Sequence, residues 1–210
     1  MDKKIAESTI YRLSRYYRSL GHLIEEGKDT ISSDDLAEID GITSAQVRKD
    51  LSFFGSFGKR GLGYNTRLLR QQIAEILGLT HPWNLGVVGA GNIGRALCDY
   101  QEFKRQNFLV KALFDADPDK IGTDYHGVPI FDYNRLEEKV KELDIQIGVI
   151  AVPAERAQEV ADRLVAAGIK AILNFAPKSI KVDDDVKVRY ENMAIEVESL
   201  TYFLRERYAK

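Results

Sequence analysis

The first 80 residues space their hydrophobic side chains differently from the rest of the chain. Up to residue 80, apolar residues recur at steps of three and four, which places them on one face of a helix. Beyond residue 81, short unbroken apolar runs alternate with helical patterns, which is typical of buried parallel strands joined by helices. We therefore predict a helical domain over 1–80, an α/β domain over 81–195 and a separate terminal helix over 196–210.

Two helices of the first domain have recognisable starts. Ser32 precedes Asp35 by three residues and Thr43 precedes Gln46 by three, which is the spacing of capping boxes. Gly41 separates the two helices, so the segment predicts a helix-turn-helix motif. The full set of predicted helices is Thr9–Glu25, one capped at Ser32, one capped at Thr43, and Leu68–Leu77.

The second helix of this motif is basic on the side opposite its apolar residues. Val47, Leu51 and Phe54 would face the core, which turns Arg48 and Lys49 outward. In helix-turn-helix proteins this helix enters the major groove of DNA. Residues 43–70 hold six basic residues and one acidic residue in a chain of net charge −2, which favours DNA binding over a solvated helix face. The candidate contacts are Ser44, Ala45, Gln46, Arg48, Lys49 and Ser52.

A glycine-rich segment, 55–64, follows this helix. Phe57, Leu62 and Tyr64 surround a basic tip, which predicts a hairpin whose tip reaches the adjacent minor groove. A solvent-exposed loop is the alternative. The candidate DNA contacts are Lys59, Arg60, Gly61 and Tyr64.

An apolar run beginning at Trp83 ends in a turn with the spacing Gly89-x-Gly91-x-x-Gly94, and a helical pattern follows. This order matches the dinucleotide-binding fingerprint, in which the glycines allow a tight turn, close approach of a pyrophosphate and close packing of helix on strand. The N–H groups at the start of the helix would face the phosphates. The candidate residues are Gly89, Ala90, Gly91, Asn92, Ile93 and Gly94.

Asp115 ends the next apolar run, about 20 residues after Gly94, where the fingerprint places an acid. A carboxylate there binds ribose hydroxyls and repels a 2′-phosphate, which favours NAD(H) over NADP(H). The alternative is that Asp115 only opens a turn.

Further apolar runs predict strands over 128–131, 146–152 and 171–176. Right-handed crossovers would make these an open parallel sheet of Rossmann type. Ligands bind outside the carboxyl ends of such strands. The additional residues expected there are Val152, Pro153, Asn174 and Phe175.

The composition argues against several classes of protein: disulfide-linked, secreted, membrane-spanning and metal-binding. One cysteine in 210 residues permits no internal disulfide and suits a reducing cytosol, so we expect a cytoplasmic protein. The first residues do not resemble a signal peptide, no apolar run is long enough to cross a membrane, and the three histidines are too scattered for a metal site.

No catalytic set accompanies the cofactor fingerprint. Tyr100 and Lys104 have the spacing of short-chain dehydrogenases but lie on the helix directly after the glycines. We therefore predict binding without turnover. Two alternatives stay open: a small NAD-dependent oxidoreductase with a DNA-binding arm, and a DNA-binding protein whose Rossmann domain holds another nucleotide such as coenzyme A.

The whole chain resembles the Rex family of redox-sensing transcriptional repressors. The matching segments are 46–55, 58–64, 88–94, 114–115 together with 118–122, 152–155 and 168–177. The resemblance implies a winged helix-turn-helix domain, a Rossmann domain and a homodimer that binds a palindromic operator, with NADH releasing the DNA and NAD⁺ permitting binding. It adds Lys120 to the cofactor residues and places Phe175 near the nicotinamide.

The resemblance also gives a role to the terminal helix. The segment Glu196–Tyr208 carries a stripe of Val197, Leu200, Leu204 and Tyr208 that would pack on its own domain or on a partner. In the family this helix is exchanged between subunits. Family members carry an intersubunit cluster of aspartate, tyrosine and arginine. The matching residues here are Asn192, Tyr100 and Arg18, so asparagine replaces the acid.

Overall fold

The computed structural model describes residues 5–58 and 62–208, with side chains up to residue 205. Contacts divide the chain into two units, Met1–His81 and Pro82–Lys210. The predicted basic tip, Lys59, Arg60 and Gly61, lies outside the described residues.

The first unit is built on helices. Its elements are α1 (Glu7–Glu25), β1 (Thr30–Ile31), α2 (Ser33–Asp40), α3 (Ser44–Ser52), β2 (Tyr64–Asn65) and α4 (Thr66–Leu77). Leu13, Tyr16 and Leu20 of α1 are fully buried and form one core with Leu36 of α2 and Val47 of α3. The helical spacing of apolar residues therefore corresponds to a real core face.

The turn between α2 and α3 follows the sequence signals, with one exception. Ser32 caps α2 with a reciprocal bond to Asp35, and Gly41, at φ +63°, ends the helix. Thr43 Oγ1 accepts a bond from the backbone N–H of Gln46, at 3.2 Å. The expected return bond is wrong, because the Gln46 side chain donates to Asp50 instead.

The small sheet of this unit also differs from the prediction. Tyr64 and Asn65 pair antiparallel with Ile31 and Thr30, not with residues just before the basic tip. Among residues 55–58, which precede the tip, the structure has no strand. The strand partner of Tyr64 and Asn65 therefore comes from the segment before α2, and the predicted hairpin, whose tip lies outside the described residues, stays a prediction.

The second unit contains a seven-stranded sheet with the order β5-β6-β4-β3-β7-β8-β9. Every neighbouring pair is parallel except β5 and β6. The strands are β3 (Trp83–Val88), β4 (Phe108–Asp115), β5 (Asp124–Tyr125), β6 (Val128–Asp132), β7 (Ile147–Ile150), β8 (Ala171–Asn174) and β9 (Lys187–Tyr190). The edge strand β9 was not predicted.

Helices connect these strands and cover the sheet. They are α5 (Asn92–Asp99), α6 (Gln101–Arg105), α7 (Leu136–Glu142) and α8 (Ala157–Ala166), with 3₁₀ turns at Tyr133–Arg135 and Ala154–Arg156. The chain crosses from β4 and β6 on one side of β3 to β7 and β8 on the other. Such a reversal opens a crevice at the carboxyl ends of the central strands.

The terminal helix α9 (Met193–Tyr208) begins earlier than predicted. Its apolar side chains are exposed, including Met193 (69%), Leu200 (60%) and Phe203 (75%). Exposed apolar residues lie beyond the single stripe expected from the sequence, because Ile195, Tyr202 and Phe203 also face outward. Packing of these residues on their own domain, one of the two alternatives, does not occur for the side chains that the structure describes.

Candidate functional site

The glycine turn after β3 has the geometry that its spacing predicts. Gly89 has φ +106°, and a Cβ there would overlap the carbonyl oxygen of Ala151. A Cβ on Gly94 would overlap the carbonyl oxygen of Gly89, so the helix α5 can approach its strand only because Gly94 has no side chain. Both glycines are thus required by the backbone itself.

Gly91 differs, because a Cβ there would find no described atom within 4 Å. Its backbone is extended, at φ −86° and ψ −164°, and no side chain caps the first turn of α5. The N–H groups of that turn are therefore available to an anion, with open space in front of them. This arrangement fits a pyrophosphate.

Asp115 ends β4 beside this turn. Its Oδ2 accepts bonds from the Ala90 N–H (2.8 Å) and from Lys120 Nζ (3.2 Å), and its Oδ1 accepts from the Asp117 N–H (3.0 Å). Burial alone would raise the pKa of Asp115, but these bonds hold it below the ordinary value. The carboxylate is therefore ionised at neutral pH, and it also ties the glycine turn to β4, a role that the sequence did not reveal.

A cavity of about 310 Å³ opens at these strand ends. Six predicted cofactor residues line it: Gly89, Gly91, Asp115, Lys120, Val152 and Pro153. Ala90, Asn92, Ile93, Gly94, Asn174 and Phe175 are not among its lining residues. Ala90 instead holds Asp115, while Asn92, Ile93 and Gly94 form the first turn of α5.

Asn174 is fully buried, and its side-chain amide forms hydrogen bonds with nearby backbone groups. Its Nδ2 donates to the Lys178 carbonyl and its Oδ1 accepts from the Ala176 N–H, both at 2.9 Å. These bonds shape the segment after β8. A direct contact of Asn174 or Phe175 with a cofactor stays a prediction.

Sequence reasoning missed several residues of the cavity, notably Tyr133, Arg156 and Val160. Tyr133 directly follows β6, whose last residue, Asp132, pairs with Asp115. The rule that ligands bind at carboxyl ends of strands indicates the end of β6, but not which side chain there faces the cavity. Arg156 and Val160 lie farther along the chain, in the segment that forms the 3₁₀ turn and α8.

The α3 helix of the first unit presents its predicted polar face outward. Ala45, Arg48, Lys49 and Ser52 are exposed, while Ser44 is half-buried. Arg48 Nη1 donates to Ser33 Oγ at 2.8 Å, and the Ser52 hydroxyl donates to the Lys49 carbonyl at 2.7 Å. Arg48 and Lys49 therefore supply the positive charge of this face.

The inner face of α3 carries an acid that the sequence did not single out. Asp50 is fully buried and accepts bonds from Arg12 Nε (2.5 Å), the Tyr16 hydroxyl (2.8 Å) and Gln46 Nε2 (2.8 Å). Burial alone would raise the pKa of Asp50, but these donors hold it below the ordinary value. Gln46 is thus committed to Asp50, and its DNA contact stays a prediction.

The remaining predicted residues lie in both units. Tyr64 is half-buried in β2, and Arg18 is exposed on α1. Tyr100, 48% exposed, lies between α5 and α6, and Asn192 precedes α9, where its Oδ1 accepts from the Ala194 N–H at 3.0 Å. Asn192 therefore begins a helix, and its part in a subunit contact stays a prediction.

Comparison with known proteins identifies both units. A family model described as "CoA binding domain" matches residues 80–178, and one described as "Putative DNA-binding protein N-terminus" matches residues 4–52. The redox-sensing transcriptional repressor Rex of Carboxydothermus hydrogenoformans is 50% identical over 202 residues, covering 96% of this chain and 97% of its own. Rex 1 of Thermotoga maritima is 50% identical and covers 89% of this chain and 90% of its own. The chain belongs to the Rex family.

Solved Rex structures match the whole fold. The Rex-family repressor RSP, in a complex with β-NAD⁺ and operator DNA, superimposes with a TM-score of 0.93 at 38% identity, covering 99% of this chain and 95% of RSP. RSP with β-NADH gives a TM-score of 0.88 at 36% identity, covering 99% and 97%. The predicted resemblance and fold class are confirmed. Exchange of α9 between subunits stays a prediction.

Rex relatives are named as transcriptional repressors, which agrees with the predicted class of function. Within residues 5–58 and 62–208, no helix combines the length and apolarity needed to cross a membrane. No group of histidine, cysteine and acidic side chains in those ranges has the geometry of a metal site.

Proposed function

We propose that this protein is a redox-sensing repressor that binds a palindromic operator. It releases the operator when NADH occupies the cavity at the carboxyl ends of β3, β4 and β7, here called the cleft. The observation that carries this proposal is the match, over 99% of the chain, to a repressor solved with β-NAD⁺ and operator DNA. The glycine turn, the ionised Asp115 and the exposed basic face of α3 support it from the chain's own residues.

The residues at the cleft suit distinct parts of a dinucleotide. We assign the pyrophosphate to Gly91 and the first turn of α5, where the N–H groups are uncapped. Asp115 would accept bonds from a ribose hydroxyl on the side of its carboxylate that faces the cavity. The nicotinamide supplies the redox signal when bound, since it exists with or without a hydride.

DNA binding is assigned to α3 and the segment after it. Arg48 and Lys49 are exposed on the face opposite the core, the arrangement by which a recognition helix reaches bases and phosphates. A homodimer would present two such helices to the two halves of a palindrome. Exposed apolar side chains along α9 support burial against a second copy, as large exposed apolar patches mark interaction sites.

We propose further that the protein shifts between two states and catalyses no reaction on the cofactor. NADH then acts only through its difference in affinity for the DNA-bound and released states. Burial raises the pKa of the Cys98 thiol to about 11, so this cysteine is mostly protonated at neutral pH and poorly reactive. Redox sensing is therefore assigned to the dinucleotide. A repressor of this kind acts in the cytoplasm.

A gel shift tests this function directly. An operator is first obtained by selecting DNA fragments that the protein binds, and binding is then titrated with NADH and with NAD⁺. We expect NADH to release the DNA and NAD⁺ to leave it bound. Equal effects of the two cofactors would contradict redox sensing, and steady consumption of NADH with a candidate substrate would favour the oxidoreductase alternative.

Coenzyme A is a second candidate ligand, because the family model that matches residues 80–178 is described as a CoA binding domain. The substitution Asp115→Ala distinguishes NADH from coenzyme A as the ligand. The substitution removes the acceptor for the ribose and also the bond that ties the glycine turn to β4. We therefore expect NADH affinity to fall roughly 10- to 100-fold, and coenzyme A affinity, measured by calorimetry, to fall clearly less. Lys111→Ala, an exposed change on the same strand, is the control. A loss confined to coenzyme A would reverse the assignment.

A further inference from the structure

The exposed arginine of the recognition helix α3 is bonded at its tip to the preceding helix. Arg48 Nη1 donates to Ser33 Oγ at 2.8 Å, and Ser33 lies 15 residues earlier, in the first turn of α2. Ser33 is half-buried, while Arg48 is exposed. The bond therefore joins the two helices of the helix-turn-helix motif at the surface that we assign to DNA.

The hydroxyl of Ser33 is not the one that caps α2. The neighbouring Ser32 has that role, because its Oγ accepts from the Asp35 N–H at 3.0 Å and its own N–H and hydroxyl donate to the Asp35 carboxylate. Within residues 5–58 and 62–208, the bond from Arg48 is the one side-chain hydrogen bond that Ser33 makes. The start of α2 therefore does not depend on the Ser33 hydroxyl.

The partner of Arg48 is a neutral group, although acids lie next to it in the chain. Asp34 and Asp35 are exposed in the same turn of α2, yet Arg48 forms no ion pair with an acid among the described residues. A carboxylate would fix the guanidinium but would also cancel its charge. A hydroxyl fixes the guanidinium and leaves its charge and its other N–H groups available to phosphates or base acceptors.

A third segment of the unit also lies close to this arginine. Tyr64 of β2 pairs with Ile31 of β1, two residues before Ser33. Burial raises the pKa of the Tyr64 hydroxyl, and the positive charge of Arg48 opposes that rise. The guanidinium therefore lies where the start of α2, the helix α3 and the strand after the glycine-rich segment meet.

Lys49, the other cation on this face, provides a contrast. It is exposed, and its ammonium has no side-chain partner in the part of the chain that the structure describes. A long side chain that is free in the unbound protein must lose its rotamer freedom when it binds DNA, which lowers affinity. Arg48 has lost part of that freedom before DNA binds, because Ser33 holds one side of its guanidinium.

We propose that Ser33 is a positioning residue for operator binding. Its hydroxyl holds the Arg48 guanidinium in the orientation in which it contacts DNA, and Ser33 itself does not contact DNA. This inference rests on the proposed function, since it concerns the affinity for an operator. The helix α2 then contributes to recognition through a side chain of α3.

Ser33→Ala tests the proposal, because it removes the hydroxyl and leaves the cap at Ser32 in place. Operator affinity, measured by fluorescence anisotropy, should fall roughly three- to tenfold, the effect of freeing one long side chain at an interface. The Tm without DNA should not change. Ser33→Thr keeps a hydroxyl and should retain most of the affinity.

Ser32→Ala is the matched control for the stability of α2. It removes the cap, so it should lower the Tm. At a temperature well below the Tm it should reduce operator affinity less than Ser33→Ala does. An equal loss of affinity in the two variants would overturn the proposal, because the effect would then come from the start of α2 as a whole.

A double-mutant cycle distinguishes positioning from direct contact. All affinities are measured at one salt concentration, because phosphate contacts make them depend on salt. In an Arg48→Ala background, Ser33→Ala should cause no further loss, since there is no guanidinium left to position. In a Lys49→Ala background, the loss caused by Ser33→Ala should persist in full.

The outcomes separate this inference from the function on which it rests. A further loss from Ser33→Ala in the Arg48→Ala background would overturn the inference, because Ser33 would then contact DNA itself. Wild-type operator affinity in Ser33→Ala would also overturn it and would leave the repressor function standing. Failure of the wild-type protein to select any DNA fragment would instead refute the proposed function.

Discussion

Gly91→Ala is expected to weaken NADH binding about 100-fold while leaving the second unit as stable as before. A Cβ at Gly91 meets no described atom within 4 Å, and the extended backbone there is open to any residue. The new methyl group would therefore not disturb the protein alone. It would occupy the space through which a pyrophosphate must approach the first turn of α5.

Gly94→Ala is the matched control, because its Cβ would overlap the Gly89 carbonyl oxygen. That change should lower the Tm as well as the affinity, since helix and strand must move apart. Calorimetry gives the NADH affinity, and thermal unfolding without ligand gives the stability. If Gly91→Ala bound NADH within threefold of wild type, the cofactor would not cross the turn at Gly91.

The three glycines of the turn after β3 show what local sequence can predict. The spacing of Gly89, Gly91 and Gly94 after an apolar run is a local signal, because strand, turn and helix are consecutive in the chain. The same holds for the face of α3, where helical periodicity alone separates Val47 and Leu51 from Arg48. Such predictions need no knowledge of distant contacts.

Features that depend on distant contacts were missed. Asp50 was counted as the one acid in a basic segment, yet it is buried by pairing with Arg12, 38 residues earlier. The two-residue strand Thr30–Ile31 is too short to show any periodicity, so its pairing with Tyr64 and Asn65 was not foreseen. An acidic residue gives no local sign of whether it faces water or a partner on another helix.

Tyr133 was missed for a related reason. The sequence predicted the strand before it, over 128–131, but not which side chains beyond the end of that strand face the cavity. The register that pairs Asp132 with Asp115 decides this, and register depends on packing across the sheet. For Asn174 the position at a strand end was predicted correctly, but the role of its side chain was not. Its amide donates to the Lys178 carbonyl and accepts from the Ala176 N–H.

The buried acid Asp50 leads to the second large prediction. Asp50→Asn is expected to lower the free energy of unfolding of the first unit by about 3 kcal/mol and to abolish operator binding. The change leaves Arg12 without its ionic partner, and it brings an amide N–H₂ toward Tyr16 and Gln46, which already donate to this position. Because Asp50 joins α3 to α1, its loss should release the recognition helix from its position.

The pH dependence of stability provides a second readout. The folded-state pKa of Asp50 is lowered, so its contribution is complete above the unfolded-state value of about 3.9 and is lost as the pH falls through the folded-state value. The free energy of unfolding of the wild-type protein should therefore fall steeply as the pH drops below about 3.9. Asp50→Asn should show a flatter acid limb in urea unfolding followed from pH 7 down to about pH 2.

Asp40 provides the matched control, because it is a second buried aspartate in the same unit and its pKa is shifted in the opposite direction. Burial raises the pKa of Asp40 despite its contact with Arg15, so its ionised form is less favourable in the folded state. Asp40→Asn should leave stability at pH 7 unchanged or higher. Arg48→Ala, on the exposed face, should change stability by less than about 0.5 kcal/mol and operator affinity by roughly 1–3 kcal/mol.

These variants distinguish a residue that holds the DNA-binding helix α3 in place from a residue of that helix that contacts DNA. Asp50→Asn should abolish operator binding although Asp50 is fully buried, while Arg48→Ala should weaken binding without unfolding. NADH binding to the second unit, measured by calorimetry, should survive both changes. Equal destabilisation by Asp50→Asn and Asp40→Asn would show that the bonds from Arg12, Tyr16 and Gln46 do not hold α3 in place, and that burial of an acid is all that matters there.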